Sequence, residues 1–244
     1  MTPKEAMIYQ LKNLKGKPFK QKVEYVVTYF GLLIVITLAI LVCLGSYIFH
    51  LVNMKDTALS VICLNTYSDN TLANAYVTEF AENAGIDLEE CEVIISTNLT
   101  LGDQDLTTAH NTAQVIGAQV AAHSVDMLAG DLGTANAYFY QEIFLELDQV
   151  LTPEQMEKYV DYLLYADMAV VRQLQKELEE FPVFPDPRKP EEMSEPVAVA
   201  LRVPMDSGFK ASCYSSWETD IAVGIVTTAS NLDNVLAFLD YIMQ

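Results

Sequence analysis

The residues able to do chemistry are few, and their spacing suits binding better than catalysis. His110 and His123 lie 13 positions apart on one predicted helix, on different faces and without a Cys or acidic partner at ligand spacing, so they make no metal site. His123 instead suits a helix C-terminus, where a cation is favoured. Asp103 and Asp105 have the spacing that opens a calcium loop, but the glycine and the closing glutamate are missing, which leaves a solvated loop. Glu89 with Glu90, and Glu179 with Glu180, are adjacent exposed runs and not an acid–base pair across a cleft. There is no G-x-S-x-G, no H-E-x-x-H and no P-loop, and Gly130 to Gly133 is no dinucleotide fingerprint. The pattern implies a non-catalytic protein with no cofactor and no metal.

What remains is a set of small polar residues at predicted strand ends. In an open parallel sheet a ligand sits outside the carboxyl ends of the strands. Here those ends carry Asn65, Thr66, Tyr67 and Ser68, then Thr97 and Asn98, then Gly130 and Asp131. They suit hydrogen bonding to a neutral polar ligand, and equally ordinary loop and N-cap duty. Trp217, the only tryptophan, shares a loop with Tyr214, Ser215 and Ser216. Its ring would stack on a sugar face or anchor the packing.

The elements that must position these residues follow from periodicity. Short apolar runs predict strands at 57–65, 91–98, 125–130, 196–203 and 219–228. Helical spacing appears at 70–84, ending at Gly85, and at 106–123. An aromatic-rich helix is expected over 133–144. Another begins after Thr152, whose hydroxyl, with Pro153 and Gln155, completes a capping box. Residues 168–180 and those from Asn231 onward read as helices, and the five prolines between 181 and 196 demand an irregular crossing. Strand, helix, strand, helix, strand predicts a parallel sheet with right-handed crossovers.

Ahead of this domain lies a run from Tyr25 to Met54 without Asp, Glu, Lys or Arg. It exceeds the roughly 20 apolar residues that cross a bilayer. Tyr25, Tyr29, Tyr47 and His50 stand near its ends, where amphipathic rings prefer the headgroup layer. Its length exceeds a signal peptide's apolar region and no small-residue cleavage site follows, so it is expected to remain as one transmembrane helix. Residues 1–24 form a basic tail of six lysines against two glutamates, and 3–13 could lie on the inner leaflet. Basic residues next to a first span stay in the cytoplasm, which would place 55–244 outside the cell. Of the chain's fourteen basic and thirty-three acidic residues, eight and thirty-one then belong to the outer domain, a net charge of −23. Such acidity excludes nucleic acid as a partner, because phosphate binding needs clustered Lys and Arg.

Cys43 falls inside the span; Cys63, Cys91 and Cys213 lie beyond it. An odd number is no disulfide framework. Cys63 and Cys91, on two predicted neighbouring strands, either pair or stay as buried thiols.

The opening LSVICLN strand with its helix ending in EFAENAGI resembles the extracellular solute-binding proteins of ABC importers, the sugar-type class. So do the segment VDMLAGDLGTANAYFYQEIFLELDQVL and the closing VGIVTTASNLDNVLAFLDYI. The resemblance implies an α/β fold with a mostly parallel five-stranded sheet flanked by helices, here about one lobe of the family's two, tethered by a transmembrane helix. It also implies binding of a small polar solute such as a sugar at the strand ends, with stacking on Trp217, and a link to a membrane transporter. The alternatives are a structural or regulatory subunit of a membrane complex that has lost its ligand and, third, an extracellular hydrolase.

Overall fold

The computed structural model describes residues 18–52, 55–66, 70–101, 106–175, 183–214 and 219–244. The chain divides into two compact units, Met1–Met54 and Lys55–Gln244.

In the first unit, helix α1 (Phe19–Val52) starts directly after Pro18, whose carbonyl accepts from the amides of Gln21 and Lys22. Its window Phe30–Phe49 is long and apolar enough to cross a membrane, with a mean hydropathy of 2.7. Leu32, Leu33, Val42 and Phe49 are exposed along it. The hydroxyls of Thr28 and Thr37 donate back to the carbonyls of Glu24 and Leu33, both at 2.8 Å, so even these polar groups are satisfied within the helix. The amphipathic segment expected over 3–13 lies outside the described residues.

The second unit is a sheet between two helical layers. Its elements run β1 (Asp56–Leu64), α2 (Asn70–Ala84), β2 (Cys91–Leu99), α3 (Leu106–Ala121), β3 (Met127–Asp131), α4 (Leu132–Phe139) and α5 (Pro153–Lys158). There follow β4 (Leu163–Asp167), α6 (Met168–Leu174), β5 (Pro196–Arg202), α7 (Gly208–Cys213), β6 (Ile221–Ile225) and α8 (Leu232–Ile242). The spatial order is β2-β1-β3-β6-β5-β4.

The expected five-stranded, mostly parallel sheet is corrected to a six-stranded mixed one. Strand β1 pairs parallel with β2 and β3, as the two crossovers require; the β3–β6, β6–β5 and β5–β4 pairs are antiparallel. The parallel half was legible because helices α2 and α3 separate its strands. The antiparallel half was not, because β5 and β6 are buried on both faces and show no polar alternation. Strand β4 escaped as five residues directly followed by a helix. A second difference is α7, in a stretch read as loop.

Alternation along the strands sends side chains to opposite layers. Leu59, Val61 and Cys63 of β1 pack with Phe80 of α2, Phe209 of α7 and Phe238 of α8. Ile62 and Leu64 pack with Ile116 of α3, Phe139 of α4 and Val171 of α6. The first layer is an aromatic cluster, in which the Phe80 and Phe238 rings meet edge-on at 4.8 Å between centroids.

The helix ends obey their capping chemistry. Gly85, at φ +70°, lets the Ile86 amide reach back to the Ala81 carbonyl at 2.9 Å, a Schellman closure. His123, at φ +53°, performs the same turn for α3, with the Ser124 amide on the Gln119 carbonyl at 3.0 Å. The capping box at α5 is present in both its bonds.

Candidate functional site

The carboxyl ends of β1, β2 and β3 converge, as parallel pairing demands. Asn65 follows β1 in a left-handed conformation, φ +57°, which an asparagine tolerates better than most residues. Its Nδ2 donates to Asp131 Oδ2 at 2.8 Å and to Thr134 Oγ1 at 3.0 Å, and its Oδ1 accepts from the Leu101 amide at 2.7 Å. The other Asp131 oxygen accepts from the Thr134 amide at 3.0 Å and so caps α4. Thr66 Oγ1 donates to the Thr97 carbonyl at 2.5 Å, the Thr97 hydroxyl bonds Asn70 Oδ1, and Ser96 Oγ donates to Asn98 Oδ1 at 2.8 Å.

These residues therefore bind one another. Both hydrogens of the Asn65 amide are engaged, and Asn65 and Thr66 are buried. Gly130 is packed under β1, since a Cβ there would stand 3.4 Å from Leu64 Cβ. Tyr214, expected in a loop facing a ligand, is buried to 1 % exposure in the core against Phe209. Tyr67, Ser68 and Trp217 lie outside the described residues, as do Asp103 and Asp105.

Among the described residues, hollows lie elsewhere. One of about 210 Å³ sits beside α4 and α6, lined by Phe139, Phe144, Met168 and Val171 with Glu142 and Glu146. Another, about 500 Å³, lies along β4 and holds Arg188 and Arg202. Its arginines are already matched: Arg188 grips Asp186 through Nε and Nη2, both at 2.9 Å, and both arginines converge on Asp220 at 3.3 and 3.7 Å. The arginine holds the Asp186 carboxyl below its ordinary range, and is itself held protonated by it. Among the described residues no group of three or more His, Cys, Asp or Glu could hold a metal.

The chain matches no family model, no curated protein and no solved structure.

The two margins of the sheet differ. On the β4 side, the chain returning to β5 lies over the edge, where the Tyr165 amide donates to the Pro187 carbonyl at 2.9 Å; the Met168 amide continues the β4–β5 ladder onto the Glu195 carbonyl at 3.0 Å. Asp167 fastens this cover by accepting from the amides of Ala169, Ser194 and Glu195 at 2.9, 2.8 and 3.1 Å. Burial acts to raise its pKa, but those three donors and the Arg172 charge outweigh it and hold the carboxyl below its ordinary value. On the β2 side, no backbone hydrogen bond among the described residues reaches the outer edge.

Strand β2 is nine residues long, with one charge, Glu92, no Pro and no Gly, and with Ile94 exposed. Such an edge suits pairing with another strand: over Val93–Ser96 the register with β1 is regular, so alternate amides and carbonyls point away from β1, and among the described residues no backbone group pairs with them. Exposed carboxylates crowd its beginning: Asp87, Glu89, Glu90 and Glu92 fall within six residues. Sequence reading placed Glu89 and Glu90 on the surface but did not see the open edge beside them, which depends on where β2 falls in the strand order.

Proposed function

We propose that this is a membrane-anchored, non-catalytic binding protein. Helix α1 spans the membrane with the basic tail inside, and the acidic α/β domain outside takes an extended, basic polypeptide segment as an added strand on β2. The open β2 edge beside Asp87, Glu89, Glu90 and Glu92, against a β4 edge that the chain covers itself, carries this reading. Backbone pairing would supply affinity, and Lys or Arg side chains meeting the four carboxylates would set the register. A second copy of the chain fits less well, because a domain of net charge −23 repels itself. The natural source would be a segment presented outside the membrane by a neighbouring complex.

The test is peptide selection on the full-length protein held in nanodiscs. Enriched peptides should be rich in β-formers and basic residues, and Ile94→Lys should abolish their binding. Selected peptides indifferent to Ile94→Lys would remove the proposal.

The 210 Å³ hollow favours a second reading, in which the solute-binding resemblance carries over as a small ligand held away from the strand ends. Its size lies below the roughly 300–1,000 Å³ of sites for drug-sized ligands, so only a small molecule would fit. Its apolar walls with Glu142 and Glu146 suit a cationic head on a short apolar body. A thermal-shift screen of small amines against the full-length protein would reveal it, and a flat response would exclude it.

A further inference from the structure

The register of β1 against its two neighbours decides which backbone groups of β2 are open. The Asp126 amide donates to the Ser60 carbonyl at 2.9 Å and the Ser60 amide donates to Asp126 Oδ2 at 2.8 Å, so the backbone of Ser60 faces β3. Backbone groups alternate sides along a strand, so those of Leu59 and Val61 face β2. Leu59 stands in parallel register with Val93, and Val61 with Ile95. In a parallel ladder such a residue bonds the two residues that flank its register partner, and the partner's own groups point away. The amides and carbonyls of Val93 and Ile95 therefore face outward, while those of Ile94 and Ser96 face β1.

This outward stretch is short. The Cys91 amide is already given to the Asp87 carbonyl at 2.8 Å. The Thr97 carbonyl takes the Thr66 hydroxyl at 2.5 Å, where the register slips between Ser96 and Leu99. The same register sets Cys91 beside Asp56, seven residues from Cys63 along β1 and about 23 Å away at ~3.3 Å per residue, so these two thiols stay apart.

Side chains alternate as well. Val93 and Ile95 pack half-buried on the layer of Phe80, and Glu92 and Ile94 stand exposed on the opposite face. Glu92 accepts from the Thr57 hydroxyl at 3.5 Å, and among the described residues no Lys or Arg pairs with it.

Granted that β2 accepts an added strand, we propose that this strand runs antiparallel to β2 and carries a β-branched or aromatic residue followed, two positions later, by Lys or Arg. An antiparallel partner exchanges straight pairs of bonds with Val93 and with Ile95; a parallel one would reach the same groups by slanted, slightly weaker bonds. The partner residues opposite Ile94 and Glu92 then occupy non-hydrogen-bonded positions, where Cα atoms are about 4.5 Å apart and side chains meet most closely. Ile94 selects an apolar neighbour there and Glu92 a basic one. Because the partner runs against β2, its apolar residue precedes its basic one. Asp87, Glu89 and Glu90, which precede the paired stretch, strengthen the attraction for that basic end.

The test uses two synthetic peptides of one composition, threonine-rich with a single valine and a single lysine. In the first the valine stands two positions ahead of the lysine; in the second the order is reversed. With the first peptide, amide exchange of the full-length protein in nanodiscs should slow at Val93 and Ile95 and stay unchanged at Ile94 and Ser96. Glu92→Lys should weaken that peptide roughly tenfold, and replacing the peptide's lysine by glutamate should restore binding to the variant. Stronger binding of the reversed peptide, with the same two amides slowed, would overturn the direction and leave strand addition on β2 standing. Equal binding of both peptides, or indifference to Glu92→Lys, would overturn the pattern in the same way. No slowing on β2 with either peptide would count against strand addition itself.

Discussion

Asn65 Nδ2 donates to Asp131 Oδ2 at 2.8 Å and so ties the exit of β1 to the start of α4. The same two side chains also take up the Leu101 and Thr134 amides. Where a ligand was expected, the strand ends are occupied with holding each other. Asp131→Ala removes a helix cap and leaves one hydrogen of the Asn65 amide without its acceptor, and should cost about 2–3 kcal/mol in chemical denaturation. Asn65→Ala should cost as much, because it adds a left-handed alanine to the lost bonds, while Asn65→Gly should cost less by about 1 kcal/mol.

Gly224 of β6 has no room for a methyl group: a Cβ there would lie 2.4 Å from the Phe144 ring. Gly224→Ala should therefore destabilise by about 2–3 kcal/mol, through displacement of an aromatic ring in the layer formed with Phe139. Phe144→Leu in the same chain should return part of that loss. Thermal melts of the single and double variants measure both.

Much of this was legible and some was not, for physical reasons. The seven consecutive buried residues of β1, its two crossover helices and the Thr152 capping box all announce themselves in local sequence. The grouping of Asn65, Thr97 and Asp131 followed from strand direction alone. Their mutual saturation did not, because it depends on the left-handed turn at Asn65 and on the Leu101 amide 36 residues away. Ser207, which caps α7 through the Phe209 amide and donates to the Ile242 carbonyl at 2.7 Å, was the one local signal for that short helix.

Acid should expose the fastening of the β4 edge. The folded pKa of Asp167 lies below its ordinary value of 3.8. Its contribution is therefore fully present above about pH 4 and is lost as pH falls through the folded value. Wild type should lose stability below pH 4 more steeply than Asp167→Asn, and the two curves should converge at the acid end. At neutral pH, Asp167→Ala should cost about 2–3 kcal/mol, since three amides lose their acceptor.

Orientation can be read on intact cells. Protease added from outside should digest the domain from Lys55 onward and spare an epitope placed on the basic tail, as lysines flanking a first span predict. Digestion of the tail epitope alone would reverse the topology.

Strand addition on β2 is most directly tested by amide hydrogen exchange on the full-length protein in nanodiscs, alone and with the tightest of the selected peptides. Pairing on β2 predicts slowed exchange at alternate amides between Cys91 and Leu99, no change at β4, and loss of the effect in Ile94→Lys with its Tm retained. Slowed exchange confined to any other surface, with β2 unchanged, would contradict it.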